Sequence, residues 1–288
     1  MNRKNTFSTV EVERPVAWSL PVIFSSPHSG DCYPVSFVEQ SPLDPLTLRQ
    51  SEDYKVDALF SSAPHFGAPI IKATFPRAFC DVNRAAYELD PEMFLAPLPD
   101  NIVTSTPRVR AGLGTIPKIV SQGRYIYSNK LRYSEIQKRL QDCYFPYHHS
   151  LKSLIDEGVQ KFGNILLIDC HSMPCPIRSE AMQASLPDFI LGDRFGQSVH
   201  PDDSAHISSK LKSFGYTVRF NAPYAGGFIT QHYGTPSTGV SALQIEINRN
   251  LYMDQRTMTK TNKFQQLQDH LSALIESLQT TLFHQKTG

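Results

Sequence analysis

The chain has 288 residues, 40% hydrophobic and 19% charged, which suits one large α/β domain or two small ones with an ample core. Its 28 basic and 27 acidic residues leave a net charge of +1, with no basic block or acidic tail, so nothing points to nucleic acid or a membrane surface as a partner. Residues 1–15 lack the apolar core of a signal peptide, no apolar run approaches the roughly 20 residues of a membrane helix, and five cysteines without a CxxC pair argue against a disulfide framework; the expectation is a soluble, cytoplasmic protein whose metal ligands, if any, are His and carboxylate.

Residues 1–20 read as a loose lead-in. Pro21–Ser26 (PVIFSS) is the first buried strand, and it runs into Pro27-His28-Ser29-Gly30, where Gly30 permits a tight turn close to a ligand. Ser51 is a candidate N-cap for a helical pattern carrying Val56, Leu59 and Phe60 on one face, so Glu52 and Asp53 either complement the helix dipole or reach a site. Ala68–Phe75 is the next strand, and Ala78–Arg84 follows with Asp81, Asn83 and Arg84 at its end. Residues 88–124 are rich in Pro and Gly with little periodicity, which predicts a long excursion covering a site. Helices are expected near 130–144 and 147–161, with Pro146 as a break or kink. His148 and His149 are neighbours about 100° apart on a helix, so a solvated or packing role is expected rather than shared metal binding.

Asn164–Pro174 (NILLIDCHSMP) is a strand buried on both faces that ends in polar residues. Alternation places Asp169 and His171 on one face and Cys170 on the other. Asp188–Asp193 is another buried strand, a helix starts at Asp202-Asp203-Ser204 and stops at Gly215, and Tyr216–Asn221 alternates like a strand. Ala222–Gly234 is a Gly-rich loop, in which Tyr224 and His232 are candidate substrate contacts. In the strand Val240–Asn248, Leu243, Ile245 and Ile247 share one face, and Gln244, Glu246 and Asn248 the other; a Glu mid-strand needs water, a partner or a metal. A final helix is expected over about 258–284. There is no internal repeat, and strands alternating with helices make the class α/β.

The polar residues at strand ends are His28, Asp53 or Glu52, Arg84, Asp169, His171 and Glu246. Two histidines and a carboxylate from separate elements, with a fourth position open, form a catalytic zinc pattern. Glu246 suits a general base, and Arg84 suits oxyanion stabilisation or a substrate carboxylate. A GxSxG elbow and the phosphate-binding glycine motifs are absent, and Cys170 faces away from His171, so a thiol nucleophile is the weaker chemistry.

Seven segments carry a more specific signal: SSPHSGDCYP at 25–34, EDYKVDALF at 52–60, DVNR at 81–84, LLIDCHSMP at 166–174, FILGDRFG at 189–196, NAPYAGGFITQHYG at 221–234 and LQIEINRNLYMD at 243–254. Spread in order over most of the chain, they resemble the N-formylglutamate amidohydrolase (N-formylglutamate deformylase) family. The resemblance implies one catalytic domain over residues 1–288: a three-layer sandwich with a mixed central sheet flanked by helices, phosphorylase/hydrolase-like and related to zinc carboxypeptidases. It implies Zn²⁺ held by His28, His171 and an acid. That acid is Asp53, with Glu52 the alternative, since the family usually shows Thr-Asp where this chain has Glu-Asp. It further implies Glu246 as the base that activates a metal-bound water, and hydrolysis of N-formyl-L-glutamate to formate and L-glutamate in histidine degradation. The two carboxylates of such a substrate call for cations, and Arg84, Arg178 and Arg249 are the candidates; ordinary ion pairs are the alternative for the last two. A zinc amidase for another N-acyl amino acid or peptide-like amide, and a catalytically silent binding protein on this fold, are the competing readings. Oligomeric state is left open.

Overall fold

The computed structural model describes residues 8–120, 123–175 and 186–284. One sheet has seven strands: β1 (Val10–Glu13), in the stretch expected to be a loose lead-in, β2 (Val22–Ser26), β3 (Ile70–Ala73), β4 (Ile165–Met173), β5 (Phe189–Gly192), β6 (Val218–Phe220) and β7 (Val240–Asn248). Their order is β1-β3-β2-β4-β7-β5-β6. The central four, β3, β2, β4 and β7, run parallel, while β1 pairs antiparallel with β3, and β5 antiparallel with β7. This is the expected mixed sheet. Every residue of β2, β4 and β7 is buried, which explains the apolar runs of β2 and of the first half of β4, while one face of β7 buries Gln244, Glu246 and Asn248.

Helices cover both faces: α1 (Val56–Leu59), α2 (Tyr133–Arg139), α3 (Phe145–Phe162), α4 (Pro201–Ser213), α5 (Phe228–Tyr233) and α6 (Phe264–His284). Alternation sorts the strands between two cores. Ile168, Cys170, Leu243, Ile245 and Ile247 pack on α1, α4 and α6, while Ile165, Leu167 and Ala242 pack on α3 and α5. The apolar stripe of α6, Leu267, Leu271, Leu274 and Leu278, is buried throughout, each leucine contributing about 2 kcal/mol.

Several elements differ locally from expectation. Ser51 does not cap a helix: Arg49–Ser51 is a 3₁₀ turn, Glu52 is extended, and α1 begins only at Val56. The backbone N–H of Asp53 donates to His28 O at 3.1 Å, and this long-range bond draws the segment toward the end of β2 instead of into a helix. Pro146 does not break the helical run, because a wider π-turn at Leu140–Tyr144 joins α2 to α3 and relieves the clash a proline makes with the carbonyl four residues back. Part of the Gly-rich loop is helical, as α5, and α6 starts at Phe264 because Met253–Asp254 pairs with Thr259–Lys260 in a small hairpin. Among the described residues no helix is long and apolar enough to cross a membrane.

Candidate metal centre and cleft

The parallel strands direct their carboxyl ends to one edge, where open α/β sheets bind ligands. Just past β2 the chain turns at Gly30, where a Cβ would lie 2.3 Å from the Phe75 carbonyl oxygen, so only glycine lets the two backbones approach. That turn holds His28, and β4 carries His171 near its end. Both imidazoles are buried, with ring centroids 4.7 Å apart.

Each histidine has a carboxylate behind it. His28 Nε2–H donates to Asp81 Oδ1 at 2.7 Å, and His171 Nε2–H donates to Asp169 Oδ2 at 2.8 Å. Both rings are thereby held with Nδ1 turned inward, toward Asp53 Oδ2, which lies 3.4 Å from His28 Nδ1 and 2.9 Å from His171 Nδ1. The other Asp53 oxygen is occupied by Ser172 Oγ and Arg249 Nη2, both at 3.2 Å. His28 Nδ1 is fully buried and makes no hydrogen bond. One ligand atom from each of His28, Asp53 and His171 lies within 4.8 Å of the others, a group that could hold a metal ion. An orphaned imidazole nitrogen facing a carboxylate oxygen, with each histidine fixed by an outer carboxylate, is what a metal in this position requires.

Glu52, the alternative acid, is committed elsewhere: its carboxylate accepts from Arg49 Nε and Nη2 and from the Tyr33 hydroxyl. Burial raises the Asp53 carboxyl, but the two imidazoles outweigh it and hold the group well below the usual carboxylate range. Asp81 is depressed likewise, because Arg77, Arg84 and His28 outweigh its burial.

Glu246 lies on β7 directly across from His171 on β4. Burial pushes its carboxyl up to about 7, His171 works to lower it, and Asp53 adds to the rise. Gln244, two residues earlier on the same face, donates to Glu246 Oε1 at 2.8 Å and accepts from Gly227 N–H at 2.7 Å. The cleft has two lobes. One, about 340 Å³, includes Asp53, Pro117, Ile119 and Arg249; the other, about 280 Å³, includes His28, His171, Arg108 and Gly227. Arg77, Arg84, Leu113, Tyr224 and Glu246 line both, which places them where the lobes meet.

The predicted site residues divide as follows. His28, Asp53, His171, Arg84, Glu246, Tyr224 and Arg249 all reach the cleft. Arg249 is buried, with its donors spent on Ser172 Oγ, the carbonyls of Gln50 and Glu52, and Asp53, so it serves to hold Asp53. His232 stays outside: it lies on the exposed side of α5, stacked on Phe228, and lines neither lobe. Arg178 lies outside the described residues. Arg77, Arg108, Asn83 and Gln244 were not singled out as site residues. The alternation that exposed Glu246 also marked Gln244, and DVNR contained Asn83, whose side chain donates to Asp169 Oδ2 at 3.2 Å and accepts from Ile229 N–H at 2.8 Å. Arg77 and Arg108 sit in segments without periodicity and carried no signal. His148 has a packing role, its Nε2–H donating to Val82 O at 2.8 Å. Cys170 is a core residue, its thiol pushed up by burial.

Known proteins resemble the chain in sequence and in fold. The sequence model of the N-formylglutamate amidohydrolase family matches residues 20–253. The chain belongs to this family. An N-formylglutamate deformylase of Pseudomonas putida is 28% identical over 243 residues, covering 82% of this chain and 83% of the relative. Among solved structures, the N-formylglutamate amidohydrolase of Ralstonia eutropha JMP134 superposes with a TM-score of 0.90 at 33% identity, covering 96% of this chain and 99% of that one. A gene product of Agrobacterium tumefaciens, at 17% identity and a TM-score of 0.65 over 96% of this chain and 94% of that one, shares the fold.

Proposed function

We propose that this member of the family is an N-formylglutamate deformylase, a metal-dependent amidohydrolase that cleaves N-formyl-L-glutamate to formate and L-glutamate. The observation that carries the reading is the convergence of His28 Nδ1, His171 Nδ1 and Asp53 Oδ2 beside the buried Glu246. His28, His171 and Asp53 would hold the metal, with zinc the choice for two imidazoles and a carboxylate. A divalent ion in that position supplies Lewis-acid activation of water and of the formyl carbonyl.

The remaining work falls to the chain. Glu246 takes the proton of the attacking water and delivers it to the leaving amine; burial works to raise its carboxyl toward the range in which such transfers are efficient. Gln244 fixes Glu246 Oε1, so the second oxygen is the one that handles the proton. Arg77 and Arg84, at the junction of the lobes, put positive charge beside the scissile carbon, where negative charge develops. Burial and the neighbouring guanidinium groups depress the Arg84 pKa, yet a guanidinium remains charged at any working pH.

The test is formate release from a panel of N-acyl amino acids, together with Glu246→Gln. The variant should lose about 10³-fold in kcat while keeping its metal content. Unchanged turnover in Glu246→Gln would remove the base from the scheme. A second reading, a longer N-acyl group, draws on the larger lobe and its apolar wall of Leu113, Pro117, Ile119 and Val120; it predicts acid release from N-acetyl or longer acyl substrates at rates above the formyl one.

A further inference from the structure

Of the guanidinium groups at the cleft, Arg108 differs from the rest. Arg249 already donates to Ser172 Oγ, the carbonyls of Gln50 and Glu52, and Asp53. Arg77 Nη2 is paired to Asp81 Oδ2 at 2.7 Å. Arg84 spends Nε on Leu113 O at 2.8 Å and Nη1 on Asn83 O at 2.7 Å. The Arg108 side chain, by contrast, makes no hydrogen bond or ion pair among the described residues, although it is half-buried. It lines the lobe that contains His28 and His171, and Arg84 feels its positive charge. A guanidinium taken partly out of water beside other cations, with no acid to answer it, is a cost unless an anion arrives.

The backbone that carries Arg108 is fixed. The four-residue helical turn Pro107–Arg110 is capped by Thr106, whose Oγ1 accepts from Val109 N–H at 3.1 Å. The Thr106 hydroxyl donates in turn to Glu88. Leu113 N–H closes back on Arg108 O at 2.8 Å, and Leu113 O is the carbonyl that Arg84 holds. Arg108 is therefore presented to the cleft from a braced turn, tied to Arg84 through Leu113.

We infer that Arg108 is a specificity-determining residue that receives a second carboxylate of the substrate, the one remote from the amide being cleaved. The inference rests on the deformylase reading above and adds the division of labour among the cations. Arg77 and Arg84 line both lobes together with Glu246, so their charge serves the reacting centre and with it the carboxylate one carbon from the scissile nitrogen. Arg108 lines only the lobe that contains His28 and His171; a glutamyl substrate with its formyl group at those histidines would have its side-chain carboxylate left for Arg108. Its donors are free for a bidentate bond, the geometry a guanidinium offers a carboxylate.

The experiment compares Arg108→Met and Arg108→Lys with the wild-type holoenzyme on N-formyl-L-glutamate and N-formyl-L-glutamine, and measures glutarate and butyrate binding by calorimetry. For Arg108→Met the ratio of kcat/KM for glutamate over glutamine should fall about 30-fold, mostly through KM, since a charge-assisted pair is lost for one substrate only. Glutarate should bind at least about tenfold more weakly than to wild type, with butyrate moving far less. Arg108→Lys should recover part of both, since it restores the charge without the fork. Equal losses on the two substrates, or an unchanged glutarate affinity in a variant that melts like wild type, would overturn the assignment. If wild type released formate from neither substrate, the deformylase reading would fail, and the glutarate measurement would still decide the role of Arg108.

Discussion

The two histidine arms of the centre look alike from the inside and differ behind. Each turns Nδ1 toward Asp53 and donates Nε2–H to a buried aspartate. Behind His28, Asp81 is a charged partner among charges: Arg77 pairs with it at 2.7 Å, and Arg84 stands 3.7 Å away. Behind His171, Asp169 sits among neutral groups: Ser25 Oγ donates at 3.1 Å and Asn83 Nδ2 at 3.2 Å, with the Tyr147 hydroxyl 2.9 Å behind Ser25. One arm is balanced by guanidinium groups that also face the cleft, and the other is anchored in the core under α3. The first couples ligand orientation to substrate-facing charge, and the second couples it to packing.

Removing the inner nitrogens treats both arms alike and has the largest effect. His28→Ala and His171→Ala should each leave the protein with well under one equivalent of metal and lower formate release by about 10³-fold or more. Metal analysis of the purified variants checks this, and a variant with full metal and normal turnover would remove that histidine from the centre.

Changing the outer carboxylates separates the arms. Asp81→Asn and Asp169→Asn should each cost about 10–100-fold in metal affinity or activity. Only Asp81→Asn also strands Arg77 without its anion, so its midpoint in urea should correspond to a further loss of about 2 kcal/mol relative to Asp169→Asn. Equal stabilities would show that the charge difference between the arms has no energetic consequence.

The narrowest effect, on stability alone and only on acidification, concerns the packing that braces the Asp81 side. His148 holds Val82 O, and burial holds its pKa down to about 4. It is therefore neutral when folded, whereas the unfolded chain protonates it near the ordinary histidine value of about 6.5. Stability from this group is present above pH 6.5 and is lost as the pH falls from about 6.5 toward 4, by up to about 3 kcal/mol. Unfolding midpoints at pH 7 and pH 5 for wild type and His148→Gln check it, the variant losing less on acidification.

Buried strands were legible because burial on both faces favours apolar runs, as in β2 and the first half of β4, while β7 betrayed itself by alternation. The pleat made Glu246 stand out from the face that Leu243, Ile245 and Ile247 share, and it set Asp169 beside His171. Capping was misread at Ser51, because a Ser followed by two acids is the same local signal whether the next residues coil into a helix or are pulled straight by a hydrogen bond to His28. The arginines were the least legible. Arg84 and Arg249 carry identical groups and both line the cleft, yet Arg84 bonds the carbonyls of Leu113 and Asn83 while Arg249 also bonds Asp53 and Ser172; that depends on which acceptors lie within reach.

By itself, then, the chain determined its α/β class, its buried strands and the histidines and Glu246 at their ends, because periodicity and burial are properties of neighbouring residues. Only the tertiary structure set Asp53 between the histidines and Glu52 against Arg49, turned both Nδ1 atoms inward, left His232 on the exposed side of its helix and brought Arg77 and Arg108 to the cleft. Those outcomes rest on hydrogen bonds between segments far apart in sequence, such as His28 to Asp81 and Arg249 to Asp53, and each is set by three-dimensional approach rather than by local pattern.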